Sequence, residues 1–411
     1  MKADLLITGA SEVITCEADG GDVLGRIADG AVALAGDRIV AAGSSSEVAS
    51  LADVSAARII NAKGRVVAPG FVDCHTHVVF GGSRAREYAA RLTKSAEQVS
   101  AMGIPTGIMA TVEMTRSTAA DELFGYAGAR LDRMFRQGST TVESKSGYGL
   151  SREHELKLLQ VTKRLGESRP VDLVSTFMGA HDFPGDMERN RYIDLLVKEL
   201  IPLAAQEGLA EFCDIYCDEG YYTVEESRII LEAGLKAGLR PKAHADAYSA
   251  TAMTDLAVEL GAVSVEHLNY TTKDQMKKLA EAGVVGVVLP ALDFAVAHPR
   301  PFNARDMLDQ GMTLALATNL CPACWVESMR FVMMMGCRRH AMTVGEAMLA
   351  ATKGAARALG RENDIGSLKP GKRADIQIWN LPALEDAVYR LDCNPVVTVI
   401  KNGRVEFNLE T

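Results

Sequence analysis

A chain of 411 residues, 48% of them apolar, can bury a large core and exceeds one ordinary domain, so a large domain with a small companion is the natural partition. The net charge of -9 excludes the basic surface that nucleic acid or an anionic membrane requires. No apolar run approaches the roughly 18 residues of a membrane span, and Met1 to Thr15 lacks a basic stretch leading into an apolar one, so a soluble cytoplasmic protein is expected.

The opening segment alternates short apolar runs with turn residues. Asp4 to Thr8, Ala31 to Leu34, Arg38 to Ala42 and Arg58 to Asn61 read as strands of a small antiparallel sheet, with Gly36-Asp37 as a tight turn. The middle alternates strands with helices. Eight strands are expected, at Val67 to His77, Thr140 to Glu143, Val171 to His181, Glu211 to Tyr216, Arg240 to His244, Ala262 to Glu266, Val284 to Leu289 and Thr313 to Thr318. Thr223-Val224-Glu225-Glu226, Thr272-Lys273-Asp274-Gln275 and Thr343-Val344-Gly345-Glu346 each place an N-cap threonine three residues before Glu or Gln; the last opens the helix after the eighth strand. The end of the chain returns to strands at Ala374 to Trp379 and Val396 to Ile400, then a hairpin signal at Lys401-Asn402-Gly403-Arg404.

The pattern predicts an α/β chain: a (β/α)8 TIM barrel over residues 66–364, with a small β-sandwich built from both termini, 1–65 and 365–411. Joining the two ends leaves no unpaired terminal edges. A nucleotide-binding doubly wound sheet is disfavoured, because no Gly-x-Gly-x-x-Gly follows a strand. The eight cysteines are scattered and read as reduced thiols.

In a barrel of this kind the chemistry gathers at the carboxyl ends of the strands. Those ends carry His75 and His77, Glu143 and Lys145, His181, Asp214 with Asp218 and Glu219, His244 with Asp246, Glu266 and His267, and Asn319. His154, His298 and His340 fall elsewhere and read as surface or packing residues. His75 and His77, one residue apart on an extended chain, point the same way and can share one metal ion. His244, on the opposite wall, is the expected third ligand. Three neutral imidazoles around an open position let a divalent ion, zinc or iron(II), lower the pKa of water and polarise a carbonyl, so hydrolysis is the expected reaction class.

Several segments together resemble the amidohydrolase superfamily, and within it the imidazolonepropionase family of histidine degradation. They are Pro69-Gly70-Phe71-Val72-Asp73-Cys74-His75-Thr76-His77, Ser144-Lys145-Ser146-Gly147-Tyr148-Gly149-Leu150, Phe177-Met178-Gly179-Ala180-His181, Glu211-Phe212-Cys213-Asp214, His244-Ala245-Asp246 and Ile365-Gly366-Ser367-Leu368-Lys369-Pro370-Gly371. The resemblance implies one zinc or iron ion per subunit and opening of 4-imidazolone-5-propanoate to N-formimidoyl-L-glutamate. By position it implies His75, His77, His244 and Asn319 as metal ligands and His181, His267 and Asn319 as catalytic residues. It assigns Arg84, Tyr148, His181, Cys321, Ala323 and Cys324 to a substrate bearing a carboxylate arm. A salt bridge from Arg84 to Glu87 competes with the substrate role of Arg84, and a carbamylated Lys145 bridging two metals competes with the single ion. No nucleic-acid or membrane partner is expected; a homodimer is, by frequency among soluble oligomers.

Three positions depart from the pattern of the family. Asn319 stands where the family places an aspartate that binds the metal and takes the proton of the nucleophilic water, and an amide has no useful basicity near neutral pH. Ala247 stands where a glutamate serves the substrate ring, and Cys321-Pro322-Ala323-Cys324-Trp325 replaces an Asn-Pro-Gly-Thr stretch. An Asp-to-Asn variant of an active enzyme, a homologue acting on another five-membered ring such as an oxo- or thioxo-imidazolidine propionate, and a non-catalytic binder of small carboxylates are the readings left open. Cys321 and Cys324 also fit a redox or zinc Cys-x-x-Cys.

Overall fold

The structure, a computed structural model, describes residues 2–409. The N-terminal strands form a four-stranded sheet in the order Arg38–Ser44, Gly30–Ala35, Leu5–Thr8, Arg58–Asn61. Arg58–Asn61 pairs parallel to Leu5–Thr8, so this sheet is mixed rather than antiparallel. The preceding segment is the helix Ser45–Leu51, and a crossover of that kind returns the chain parallel where a tight turn would reverse it.

A six-stranded sheet joins the two ends of the chain, in the order Arg404–Asn408, Val396–Lys401, Ile376–Trp379, Val66–Pro69, Glu12–Ile14, Arg26–Ala28. Its seam is the antiparallel pairing of Ile376–Trp379 with Val66–Pro69. Ile7, Val32 and Leu34 of the first sheet share a buried cluster with Val13, Val67, Ile376, Ile378 and Ile400 of the second. The expected hairpin forms with Lys401 opposite Arg404. Asn402 and Gly403 both adopt positive φ, as a two-residue turn between twisted strands demands.

Eight parallel strands make the barrel, in chain order: Phe71–Asp73, Ser139–Lys145, Asp172–Ala180, Phe212–Cys217, Arg240–Ala245, Ser264–His267, Val285–Val288 and Leu314–Leu316. The run expected as one strand from Val67 to His77 divides at Gly70, its first part entering the six-stranded sheet and its second the barrel. A Cβ at Gly70 would meet Thr140 at 2.4 Å, so only glycine allows this approach. Both parts are buried, which is why the apolar pattern runs on without a break.

Closure falls just past the first and last strands. Asn319 N–H donates to the His75 carbonyl (3.0 Å), and His77 N–H to that of Leu320 (2.9 Å). Thr223, Thr272 and Thr343 each cap a helix through a complete capping box. Helix Met329–His340 precedes the one that Thr343 opens, so the latter is not the first after the last strand. Methionines and other buried residues surround much of that earlier helix, leaving no clean amphipathic period to read. Among the described residues no helix is long and apolar enough to cross a membrane.

Candidate active site

His75 and His77 lie two and four residues beyond the end of the first barrel strand, on chain that stays extended because both neighbours bond it. Thr76 points the other way and donates to the Glu143 carbonyl at 2.5 Å. His244 is next to last in the strand across the barrel. The ring centroids of His75 and His244 are 4.6 Å apart, of His75 and His77 5.7 Å, and of His77 and His244 5.9 Å. One ligand atom from each lies within 4.8 Å of the others.

The hydrogen bonds of these rings leave lone pairs facing one another. His77 Nδ1 donates to the Ser146 carbonyl and His244 Nδ1 to Asp214 Oδ1, each at 3.2 Å, so each keeps Nε2 as a bare acceptor. His75 Nδ1 lies 2.6 Å from Glu266 Oε2, off the axis of a hydrogen bond, and its Nε2 has no partner among the described residues. His244 Nε2 is likewise buried and unpartnered. Burial pushes His75 down to about 4 and His77 well below the ordinary histidine range, with the neighbouring imidazoles adding to it, so both are neutral. Neutral, buried nitrogens without partners are costly unless a cation takes them. The donor set fits a borderline divalent ion with nitrogen ligands.

A fully buried ionic cluster adjoins these rings. Lys145 Nζ donates to Asp214 Oδ2 (2.7 Å), Glu266 Oε1 (3.0 Å) and Glu143 Oε1 (3.1 Å), and Lys242 Nζ donates to Glu143 Oε1 at 2.7 Å. With three carboxylates on its three donors Lys145 is an ammonium, raised well above its ordinary pKa against the penalty of burial. These ion pairs speak against the carbamate reading, which requires a neutral nitrogen bound to carbon. They also account for Glu266 and Asp214, charged groups seen at strand ends in the sequence but given no role there.

His181 stacks on His77 with ring centroids 4.7 Å apart and planes 7° apart, and its Nδ1 donates to the Gly147 carbonyl at 3.1 Å. Burial, reinforced by His244, pushes His181 down to about 3. His267 sits 5.1 Å from His244 and 5.8 Å from His75. His267, Leu268 and Asn319 all adopt positive φ, unusual for residues with a Cβ and characteristic of strained functional segments. Asn319 is buried at the closure of the barrel.

Tyr148 lies 5.2 Å, centroid to centroid, from both His77 and His181, with Cys321 and Arg84 close enough to act on its hydroxyl. Arg84 makes the salt bridge with Glu87, Nε at 2.6 Å and Nη2 at 2.9 Å, leaving Nη1 without a hydrogen-bond partner among the described residues. Cys321 and Cys324 exchange backbone hydrogen bonds of 3.1 Å across a tight turn that carries half-buried Ala323. Cys324 Sγ turns back to the Thr318 carbonyl at 3.7 Å, and burial raises both thiols. Neither cysteine joins a metal-ligating group among the described residues. Ala247 packs with Met178 and Tyr216. The sequence reading missed Tyr216, whose ring stacks on His267 at 6.2 Å and lies 5.9 Å from His244, although it ends a strand like the histidines.

Residues 187–405 match the Amidohydrolase family, as do residues 58–103. The imidazolonepropionase of Alkaliphilus metalliredigens is 40% identical, covering 98% of each chain. That of Geobacillus kaustophilus is 42% identical over 94% of this chain and 92% of its own. Among solved structures, an adenosine deaminase from Xanthomonas campestris with bound zinc superposes with a TM-score of 0.74 at 19% identity, covering 99% of this chain and 93% of its own.

Proposed function

Since the chain belongs to the imidazolonepropionase family of amidohydrolases, we propose that it hydrolyses the cyclic amide of 4-imidazolone-5-propanoate to N-formimidoyl-L-glutamate, as in histidine degradation. The observation that carries this reading is the convergence of His75, His77 and His244, with Nε2 of His75 and of His244 buried and unpartnered among the described residues. His75, His77, His244 and the Asn319 amide oxygen would hold one zinc or iron(II) ion. Such an ion supplies Lewis acidity toward the ring carbonyl and makes water a better nucleophile at neutral pH.

The residues of the chain supply orientation and proton handling. Arg84, braced by Glu87, offers Nη1 to the propionate, and Tyr148 closes the same end of the pocket. His181, its Nδ1 fixed on Gly147, presents Nε2 as a neutral acceptor for a water proton. His267, with neither ring nitrogen hydrogen-bonded among the described residues, is free to donate to the carbonyl or to the departing nitrogen. Water oxygen bonds to the carbonyl carbon, the ring C–N bond breaks, and the proton passes to that nitrogen. Asn319 orients without taking a proton. Cys321, Ala323 and Cys324 shape the wall beside Tyr148. The substrate is a small molecule, and we place the enzyme in the cytoplasm as a homodimer.

A second reading follows from Asn319 and Ala247. Ala247 brings no carboxylate to the ring, and four strand-end carboxylates are already engaged: Glu143, Asp214 and Glu266 with Lys145, and Asp246 with Thr251 and Thr271 at 2.7 to 2.8 Å. A ring with an acidic N–H, such as an oxo- or thioxo-imidazolidine propionate, needs no such partner. The test loads the protein with Zn2+ or Fe2+ and compares turnover of the imidazolone with that of these rings, identifying products by mass. Turnover of the imidazolone supports the first reading, and turnover of an acidic ring alone supports the second. Tight binding without turnover of any ring identifies a binder of small carboxylates and removes both.

A further inference from the structure

One buried carboxylate outside the pocket gathers most of the donors of the loop that serves it. Glu155 lies in the first turn of the helix Arg152–Ser168 and is fully buried. It accepts from Gly147 N–H at 3.1 to 3.2 Å through both oxygens, from Gly149 N–H at 2.7 Å and from Leu150 N–H at 2.9 Å. The carbonyls of the same loop point outward. Ser146 and Gly147 receive His77 and His181, while Arg116 takes Gly149 at 2.7 Å and Leu150 at 2.8 Å. Tyr148, flanked in the chain by the clamped Gly147 and Gly149, faces both histidines.

The loop holds this shape against local preference. Gly147 has a φ of 101° and Leu150, which has a Cβ, one of 46°. A Cβ at Gly149 would meet the Glu155 backbone nitrogen at 2.4 Å and its Oε1 at 2.8 Å, so the loop is fitted to both helix and carboxylate. A concave run of backbone N–H groups around one anion is a strong, directional anchor.

We propose that Glu155 is a positioning residue: by clamping the loop 146–150 it sets the ring orientations of His77 and His181 and the place of Tyr148, and so governs metal affinity and substrate binding without touching either. The proposal rests on the assignment of His77 and His181 to the site made above. Displaced partners that orient ligand histidines commonly cost about 10- to 100-fold in metal affinity.

The test measures Co2+ affinity by chelator competition, the visible Co2+ spectrum, KM and kcat for Glu155→Gln and for Ser151→Ala. Ser151 caps the same helix through His154 N–H at 3.3 Å, and its hydroxyl makes no hydrogen bond to residues 146–150. Glu155→Gln is expected to weaken Co2+ binding about tenfold or more, to alter the Co2+ spectrum, and to raise KM more than it lowers kcat. Ser151→Ala is expected only to lower the melting temperature. Equal loss of stability in both variants with unchanged Co2+ affinity and KM overturns the proposal. If Glu155→Gln does not fold, Arg116→Gln, which releases the same loop from its other side, is expected to move Co2+ affinity and KM in the same direction, and no change there overturns it equally. Failure of the unaltered protein to bind Co2+ defeats the metal assignment itself, a separate result.

Discussion

Thr318 donates twice to Asp73, Oγ1 to Oδ2 at 2.6 Å and N–H to Oδ1 at 3.1 Å, so the segments that leave the last and first barrel strands share one buried carboxylate. Burial raises the Asp73 carboxyl to about 7, even though the bonds from Thr318 pull it down. Two residues on from Asp73 is His75, and one on from Thr318 is Asn319, so the seam that closes the barrel also sets the distance between two candidate ligands. Thr318→Val removes one donor and leaves a buried acceptor short. The expected cost is about 1 to 3 kcal/mol in urea denaturation, with weaker Co2+ binding. An unchanged midpoint and affinity would show that this pair is dispensable.

Asn319→Asp restores a basic oxygen at the end of the eighth strand. In the proposed mechanism proton removal falls to His181, which burial and neighbouring imidazoles hold at about 3 and which is therefore a weak base. A positioned carboxylate contributes roughly 100- to 10,000-fold in rate, so kcat for the imidazolone is expected to rise at least about tenfold. Steady-state kinetics on matched, metal-loaded proteins checks it. A fall in kcat with unchanged metal content would mean that the site is built around the amide.

The architecture was legible because most barrel strands are short, largely apolar runs that lead to a polar group, as Phe71–Asp73 leads to His75, and because threonine capping boxes mark the helix starts. Two failures have physical causes. Gly70 hides a change of sheet inside an unbroken buried run, and Arg58–Asn61 pairs parallel because a helix carries the chain across. At the site, alternation aligned His75 with His77, but nothing in the sequence marked Glu155. A glutamate in the first turn of an amphipathic helix ordinarily serves the helix dipole in solvent, and its burial here is a tertiary effect of the loop folding back over it.

Lys145 tests the ionic cluster. Its Nζ neutralises Asp214, Glu143 and Glu266, and both Asp214 and Glu266 are held far below the usual carboxylate range, against burial, by Lys145 and the adjoining histidines. Lys145→Met leaves three buried carboxylates with Lys242 alone. Breaking a buried ion pair from one side costs about 3 to 5 kcal/mol, and a loss of that size is expected in chemical denaturation at pH 7. The His244–Asp214 bond depends on the same balance, so metal affinity is expected to fall with it. A variant as stable as the parent would mean that the carboxylates take up protons at little cost.

The contact between the barrel and the C-terminal strands gives a pH signature. Asp172, at the start of the third barrel strand, accepts from Lys401 at 2.8 Å and from Arg373, and Lys401 also reaches Asp375 at 2.6 Å. Burial raises the Asp172 carboxyl, but Lys401 and Arg373 outweigh it and hold the group below its ordinary value. A depressed folded pKa gives stability that is fully present above the unfolded value of about 4 and is lost as pH falls through the folded one. Asp172→Asn is therefore expected to destabilise the protein at pH 7, and the difference from the parent should shrink as pH is lowered below about 4. Denaturant midpoints for the two proteins across that range check the sign. A difference that stays constant, or grows on acidification, would show that the aspartate holds the two parts together by its shape rather than its charge.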